Sequence, residues 1–175
     1  MPVFDIHAHV YPRAIAQRAV ASIGAFYGLP LRYDGTLEAL LQAAAAAGVT
    51  RMAIHSVAVA WEHVRSINDF IAETARAREG RLVGFGTLHP DHPDAAGEIR
   101  RMMGLGLRGI KLHPDFQRFA IDDEKVFPLY EAAQGRLPVL MHTGDHRYDG
   151  SHPLRMARVL DRFPGLQVIC AHLGG

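Results

Sequence analysis

Two rhythms of apolar residues alternate along the chain. Short runs that are apolar nearly throughout, at residues 5–9, 49–58, 82–89, 107–113, 137–142 and 166–172, read as strands buried on both faces. Between them lie stretches with apolar residues every three or four positions, the pattern of a helix with one buried stripe. The first helix spans about 13–27, with Ile15, Ala19, Ile23 and Phe26 as its stripe, and Gly28-Leu29-Pro30 stops it. Thr36 caps a second, which runs through an alanine tract to Gly48. Further helices are predicted over 66–79, over 95–103 with Ile99 and Met102 or Met103 buried, and around Val126, Leu129, Tyr130 and Ala133, where Pro128 sits near the first turn or kinks it. The last opens at Pro153, with Leu154, Ala157, Leu160 and Phe163 as its stripe. Residues 114–123 and 143–152 read as longer loops.

Strands alternating with helices, with short turns before the strands and longer loops after them, describe consecutive βα units around a parallel sheet. The expected fold class is α/β, a TIM-type (β/α) barrel. Six units are present, whereas an eight-unit barrel takes about 250 residues, so residues 1–175 are expected to form one domain lacking the last two units. In such barrels the groups that do chemistry collect at the carboxyl ends of the strands. Here those ends carry His7 and His9, His55, His89, Lys111 and His113, His142, and His172. Side chains alternate along a strand, so His7 and His9 share a face and can take two sites of one transition metal. Lys111 and His113 share a face for the same reason.

Composition narrows the partners. With 19 Lys and Arg against 18 Asp and Glu, the net charge of +1 offers no field to attract nucleic acid or a membrane surface, which leaves a small-molecule substrate. Cys170 is the only cysteine, so no internal disulfide is possible and a reducing compartment follows. No leader-like start and no run able to span a bilayer is present, and the expected location is the cytoplasm.

Four segments, Asp5-Ile6-His7-Ala8-His9, Gly109-Ile110-Lys111-Leu112-His113-Pro114, Val139-Leu140-Met141-His142-Thr143-Gly144 and Ala171-His172-Leu173-Gly174-Gly175, together resemble the amidohydrolase superfamily, in the branch that also holds nonoxidative decarboxylases. They stand in that family's order and cover the whole chain. The resemblance implies a divalent metal ion held by His7, His9 and His142. It implies that His172 contacts a metal or acts on substrate as acid or base. In some members the strand-four lysine, Lys111 here, is carboxylated and bridges two metals. An aspartate after strand eight completes the family's site, and no residue here matches it.

Three neutral imidazoles leave a zinc ion its full charge and an open position; manganese, iron and nickel accept the same ligands. The expectation is a metal-dependent hydrolase of a small ester, lactone or amide, with His172 and Lys111 as catalytic groups. His113, Arg118 and Arg147 are the candidate substrate-binding residues, the arginines as partners for a carboxylate. The same motifs fit a decarboxylase of a small aromatic or dienoic acid. A catalytically inactive barrel fragment is the non-enzyme alternative, and open sheet edges suggest a homo-oligomer.

Overall fold

In a computed structural model describing residues 1–174, the two rhythms become a curved parallel sheet with helices on its outer side. Strands β1 (Phe4–His9), β2 (Arg51–His55) and β3 (Leu82–Gly84) pair in that order. β4 (Gly86–Thr87), β5 (Ile110–Leu112), β6 (Val139–Met141) and β7 (Val168–Cys170) pair in theirs, every neighbour parallel. The helices are α1 (Arg13–Tyr27), α2 (Leu37–Ala46), α3 (Val64–Arg76), α4 (Ala95–Gly104), α5 (Pro114–Gln117), α6 (Phe127–Ala133) and α7 (Pro153–Arg162). None is long and apolar enough to cross a membrane.

The run read as one third strand is divided at Phe85. The Phe85 N–H donates to the Ile54 carbonyl on one side, and the Gly86 N–H donates to the Gly109 carbonyl on the other, both at 2.9 Å. One peptide step thus hands the ladder from β2 to β5. The glycines flanking it lie tight under the helices: a Cβ at Gly84 would stand 2.7 Å from the Leu107 side chain, and one at Gly86 2.5 Å from that of Met102.

The pleat sorts the strands into two faces. Met52 and Ile54, Ile110 and Leu112, and Val139 and Met141 pack outward against the helices in the main core. Ala53, Phe85 and Leu140 face inward, with Ala171 beside them. By the same alternation His55, Lys111, His113 and His142 belong to the inner face.

Several predicted boundaries hold and several shift. α1 and the Thr36 cap of α2 fall where expected, the Thr36 hydroxyl oxygen accepting from the Ala39 N–H, and Gly28 ends α1 in the left-handed region. The buried faces of α1 and α7 are rotated from their predicted stripes. Ile15 is exposed and Ala16 buried in α1; Leu154 and Leu160 are exposed in α7, which packs through Met156, Val159 and Phe163. Both helices carry more apolar positions than one stripe needs, so spacing alone does not select the packed face. The segment after β5, read as loop, opens with the single-turn helix α5, whose first position is filled by Pro114.

Candidate metal centre and cavity

β1 is irregular where its histidines begin. Asp5 stands opposite Met52 but Ala8 opposite Ile54, so β1 carries one extra residue between them. Within this bulge the His7 N–H donates to Asp5 Oδ1 at 2.9 Å, which fixes the bend. The imidazoles of His7 and His9 emerge on one side with their Nε2 atoms 3.3 Å apart.

His172 reaches the same space by breaking the pleat. Val168 and Cys170 pack against the outer core, and strict alternation would send residue 172 outward with them. Instead β7 ends at Cys170 and the chain turns through positive φ at His172 (56°) and Leu173 (59°), which turns the His172 ring inward. Its Nε2 lies 3.1 Å from His142 Nδ1, and its ring centroid is 5.1 Å from that of His7. Left-handed backbone at two non-glycine residues costs about 1–2 kcal/mol each.

The field in this cluster keeps the imidazoles neutral. Burial first, and then the charges of Lys111 and the neighbouring histidines, push His7 down to about 3. Burial and Lys111 push His142 down to about 4. His9 and His55 lie well below the ordinary histidine value, mainly through burial, and His172 is lowered by burial and Lys111. Lys111 itself is fully buried, its Nζ without a hydrogen-bond partner, and burial pulls its amine down to about 7.

This donor set fits a divalent ion. Two ligands on a tetrahedral ion with bonds of about 2.05 Å stand about 3.3 Å apart, and the pairs His7/His9 and His142/His172 have nitrogens at 3.3 and 3.1 Å. Both ring nitrogens of His55 are buried without a partner, as groups awaiting a ligand would be; the His142 Nε2 is also unpartnered, but it faces Asp115 and not His172. His172 lies between His7 and His142, but the donor atoms that stand close enough to share one ion fall in two sets, His7/His9/His55 and His113/Asp115/His142.

The structure thus adds two residues. His55 offers a nitrogen within 4.8 Å of donors on both His7 and His9, with its ring 4.4 Å from that of His9. The register of β1 and β2, which sets His55 directly opposite His9, puts it there. Asp115, in the first turn of α5, groups with His113 and His142, its Oδ2 buried, unpartnered and 3.8 Å from His142 Nε2. Burial raises its carboxyl above the usual range. Reading that turn as loop concealed it.

The remaining candidates divide. His113 is held from both sides: its Nδ1 accepts from the Phe116 N–H at 3.4 Å, and its Nε2 lies 2.9 Å from the Tyr27 hydroxyl. Its ring stacks on that of His142, centroids 3.8 Å apart and 10° from parallel. Arg118 is exposed at the left-handed end of α5 and does not line the cavity. Arg147 does line it, but its guanidinium is engaged: Nε and Nη2 donate to the two oxygens of Asp145, and Nη1 to the Phe26 carbonyl at 2.8 Å. It also lies over the rings of Phe26, Tyr27 and Tyr148 at 5.0 to 5.3 Å. His89 and His152 serve locally, each accepting a nearby backbone N–H through Nδ1.

Above the histidines opens a cavity of about 870 Å³, walled by Tyr11, Tyr27, Tyr33 and Phe116. The arrangement is a floor of imidazoles under an aromatic chamber.

A family model described as Amidohydrolase matches residues 4–175. Three solved structures are similar over almost the whole chain. The 5-carboxyvanillate decarboxylase LigW of Sphingomonas paucimobilis has a TM-score of 0.71 at 20% identity, covering 99% of this chain and 68% of its own. LigW2 of Novosphingobium aromaticivorans, with bound manganese and a nitrobenzoic acid, has a TM-score of 0.75 at 18% identity, covering 99% and 66%. A protein from Acinetobacter baumannii described as a probable 2-pyrone-4,6-dicarboxylic acid hydrolase has a TM-score of 0.62 at 14% identity, covering 97% and 58%. The chain thus spans about two thirds or less of the length of these proteins.

Proposed function

Because the chain belongs to the amidohydrolase family, we propose that it acts in metal-dependent nonoxidative decarboxylation of a small planar acid, aromatic or dienoic. The observation that carries this reading is the set of four neutral imidazoles, paired at 3.3 and 3.1 Å, on the floor of an aromatic-walled cavity. That two of the similar structures are decarboxylases of an aromatic acid supports it. His7, His9 and His142 are the proposed metal ligands, with His55 in reserve beside the first two. Zinc or manganese suits this set, and a bound ion supplies a fixed positive charge that orients and polarises substrate oxygens.

The chain's own groups do the rest. Neutral imidazoles leave that charge undiminished. Tyr27, Tyr33 and Phe116 confine a flat ring and exclude water from it. His172 is the most exposed of the four histidines, and it is placed to relay a solvent proton to the carbon that the carboxylate leaves, its neutral imidazole taking up one proton as it gives one. Lys111 acts from below, its charge near neutral pH adding to burial in holding the imidazoles unprotonated.

Hydrolysis of a small ester, lactone or amide is the second reading. It is favoured by the same open imidazole set, which suits activation of water, and by the likeness to a pyrone hydrolase. The test supplies the chain, loaded with zinc or manganese, with hydroxybenzoates and with small lactones. Release of carbon dioxide with a product one carbon shorter is the expected result. Ring opening with all carbons retained would move the assignment to hydrolysis. Metal at one equivalent or more in the wild type, and its loss in a His7→Ala/His9→Ala variant, is expected by elemental analysis; full metal in the variant would remove the ligand assignment.

A further inference from the structure

We infer that the Tyr27 hydroxyl, oriented by His113, donates a hydrogen bond to an anionic oxygen of the substrate. The inference rests on the proposed reading of the cavity as the substrate chamber, and it begins from the tautomer of His113. The His113 Nδ1 accepts the Phe116 N–H as the N-cap of α5. A ring nitrogen that accepts a hydrogen bond carries no proton, and such an imidazole bears its single proton on the other nitrogen. Its proton therefore sits on Nε2 and is donated to the Tyr27 oxygen, 2.9 Å away.

A phenol in that position has its own proton left to give. Among the described residues, Tyr27 has no hydrogen-bond partner other than His113, and the residue lines the cavity. Burial raises the phenol to about 12, which keeps the proton in place across the physiological range. The ring's position does not depend on the hydroxyl. Arg147 lies 5.2 Å from its centroid and ties down the neighbouring Phe26 carbonyl, and the Phe26 and Phe116 rings stand at 4.9 and 5.9 Å.

The class of ligand follows from what else the wall offers. The arginine beside Tyr27 has its directed donors committed to Asp145 and Phe26. A neutral donor fixed over a chamber whose floor binds a cation suits the carboxylate or phenolate of a flat acid that spans the two. His113 is then a positioning residue, acting on substrate through Tyr27 rather than by its own contact.

The experiment measures benzoate and benzamide binding to metal-loaded wild type and Tyr27→Phe by calorimetry, with the tautomer of His113 read by ¹⁵N NMR. Losing a hydrogen bond to a charged group should weaken benzoate by roughly ten- to a hundredfold and leave benzamide within about twofold. His113 should carry its proton on Nε2. Equal benzoate affinity in the two proteins, no benzoate binding to wild type, or a proton on His113 Nδ1 would each overturn the inference. Its failure is separable from that of the proposed reaction. Selective loss of benzoate without turnover of any acid keeps Tyr27 and removes decarboxylation. Turnover with benzoate affinity unchanged in Tyr27→Phe does the reverse.

Discussion

Replacing Lys111 with methionine should stabilise the chain at neutral pH, by an amount that shrinks as the solution is made alkaline. The Lys111 amine is fully buried, without a hydrogen-bond partner, and holds its proton only up to about pH 7 in the folded state. In the unfolded chain it keeps that proton to about pH 10.4. Between those values the unfolded state binds more protons than the folded one, so stability rises with pH across that window. At about 1.4 kcal/mol per pH unit, and with the folded amine half protonated at pH 7, the penalty there is roughly 4 kcal/mol; at pH 10 it is about 1 kcal/mol. Methionine keeps the unbranched shape and carries no proton. Urea unfolding of both proteins in chelator at pH 7, 8.5 and 10 gives the difference directly, and titration of the tyrosines common to both cancels. A stability gap of the same size at all three pH values would refute the reasoning, since it would mean that packing and not desolvated charge governs the site.

Three other outcomes are expected. Gly109→Ala places a Cβ 2.5 to 2.7 Å from the Phe85 ring, and the overpacking should cost about 1–3 kcal/mol in urea unfolding; an unchanged midpoint would show that the ring gives way freely. Gln117→Ala removes the side chain that accepts from the His113 N–H at 2.8 Å and donates to the Ala58 and Leu88 carbonyls at 2.9 and 2.6 Å. Stability should fall by about 2–4 kcal/mol, with the His113 amide losing protection in hydrogen exchange. Because burial and the Lys111 charge hold His7 at about 3 and His142 at about 4, these imidazoles stay unprotonated well below the ordinary histidine range. Zinc affinity in a chelator competition should therefore stay flat from pH 7 to 5 and drop only near pH 4. A fall centred on pH 6.5 would mean that the imidazoles are solvated.

The order of elements and the placing of His7, His9 and His142 at one rim were legible because both follow from periodicity: apolar runs build the parallel sheet, and residues that end them share its rim. What escaped depended on contacts between distant segments. The division of the third strand at Phe85 is invisible in an unbroken apolar run, since it arises from β2 and β5 claiming successive peptide groups. His172 sits on the wrong parity for an inner-face residue and reaches the site only through its left-handed backbone. His55 matters because its register places it opposite His9, and Asp115 because a single helical turn aims it at His142. Tyr27 ends a helix whose amphipathic pattern is accounted for by packing, so nothing local distinguished its hydroxyl.

The corner at Phe85 bears on how such a chain can diversify. Its flanking glycines and Gly109 are confined by the side chains that fill the space where a Cβ would stand, so under random substitution these positions would be lost from a functional library first. The aromatic residues over the rim carry no such constraint from the sheet. Tyr33 is largely exposed, and a change there alters the chamber without moving a strand. Variation in the walls of the cavity is thereby uncoupled from the geometry that keeps it open, and single replacements can reshape the chamber without disturbing the sheet beneath it.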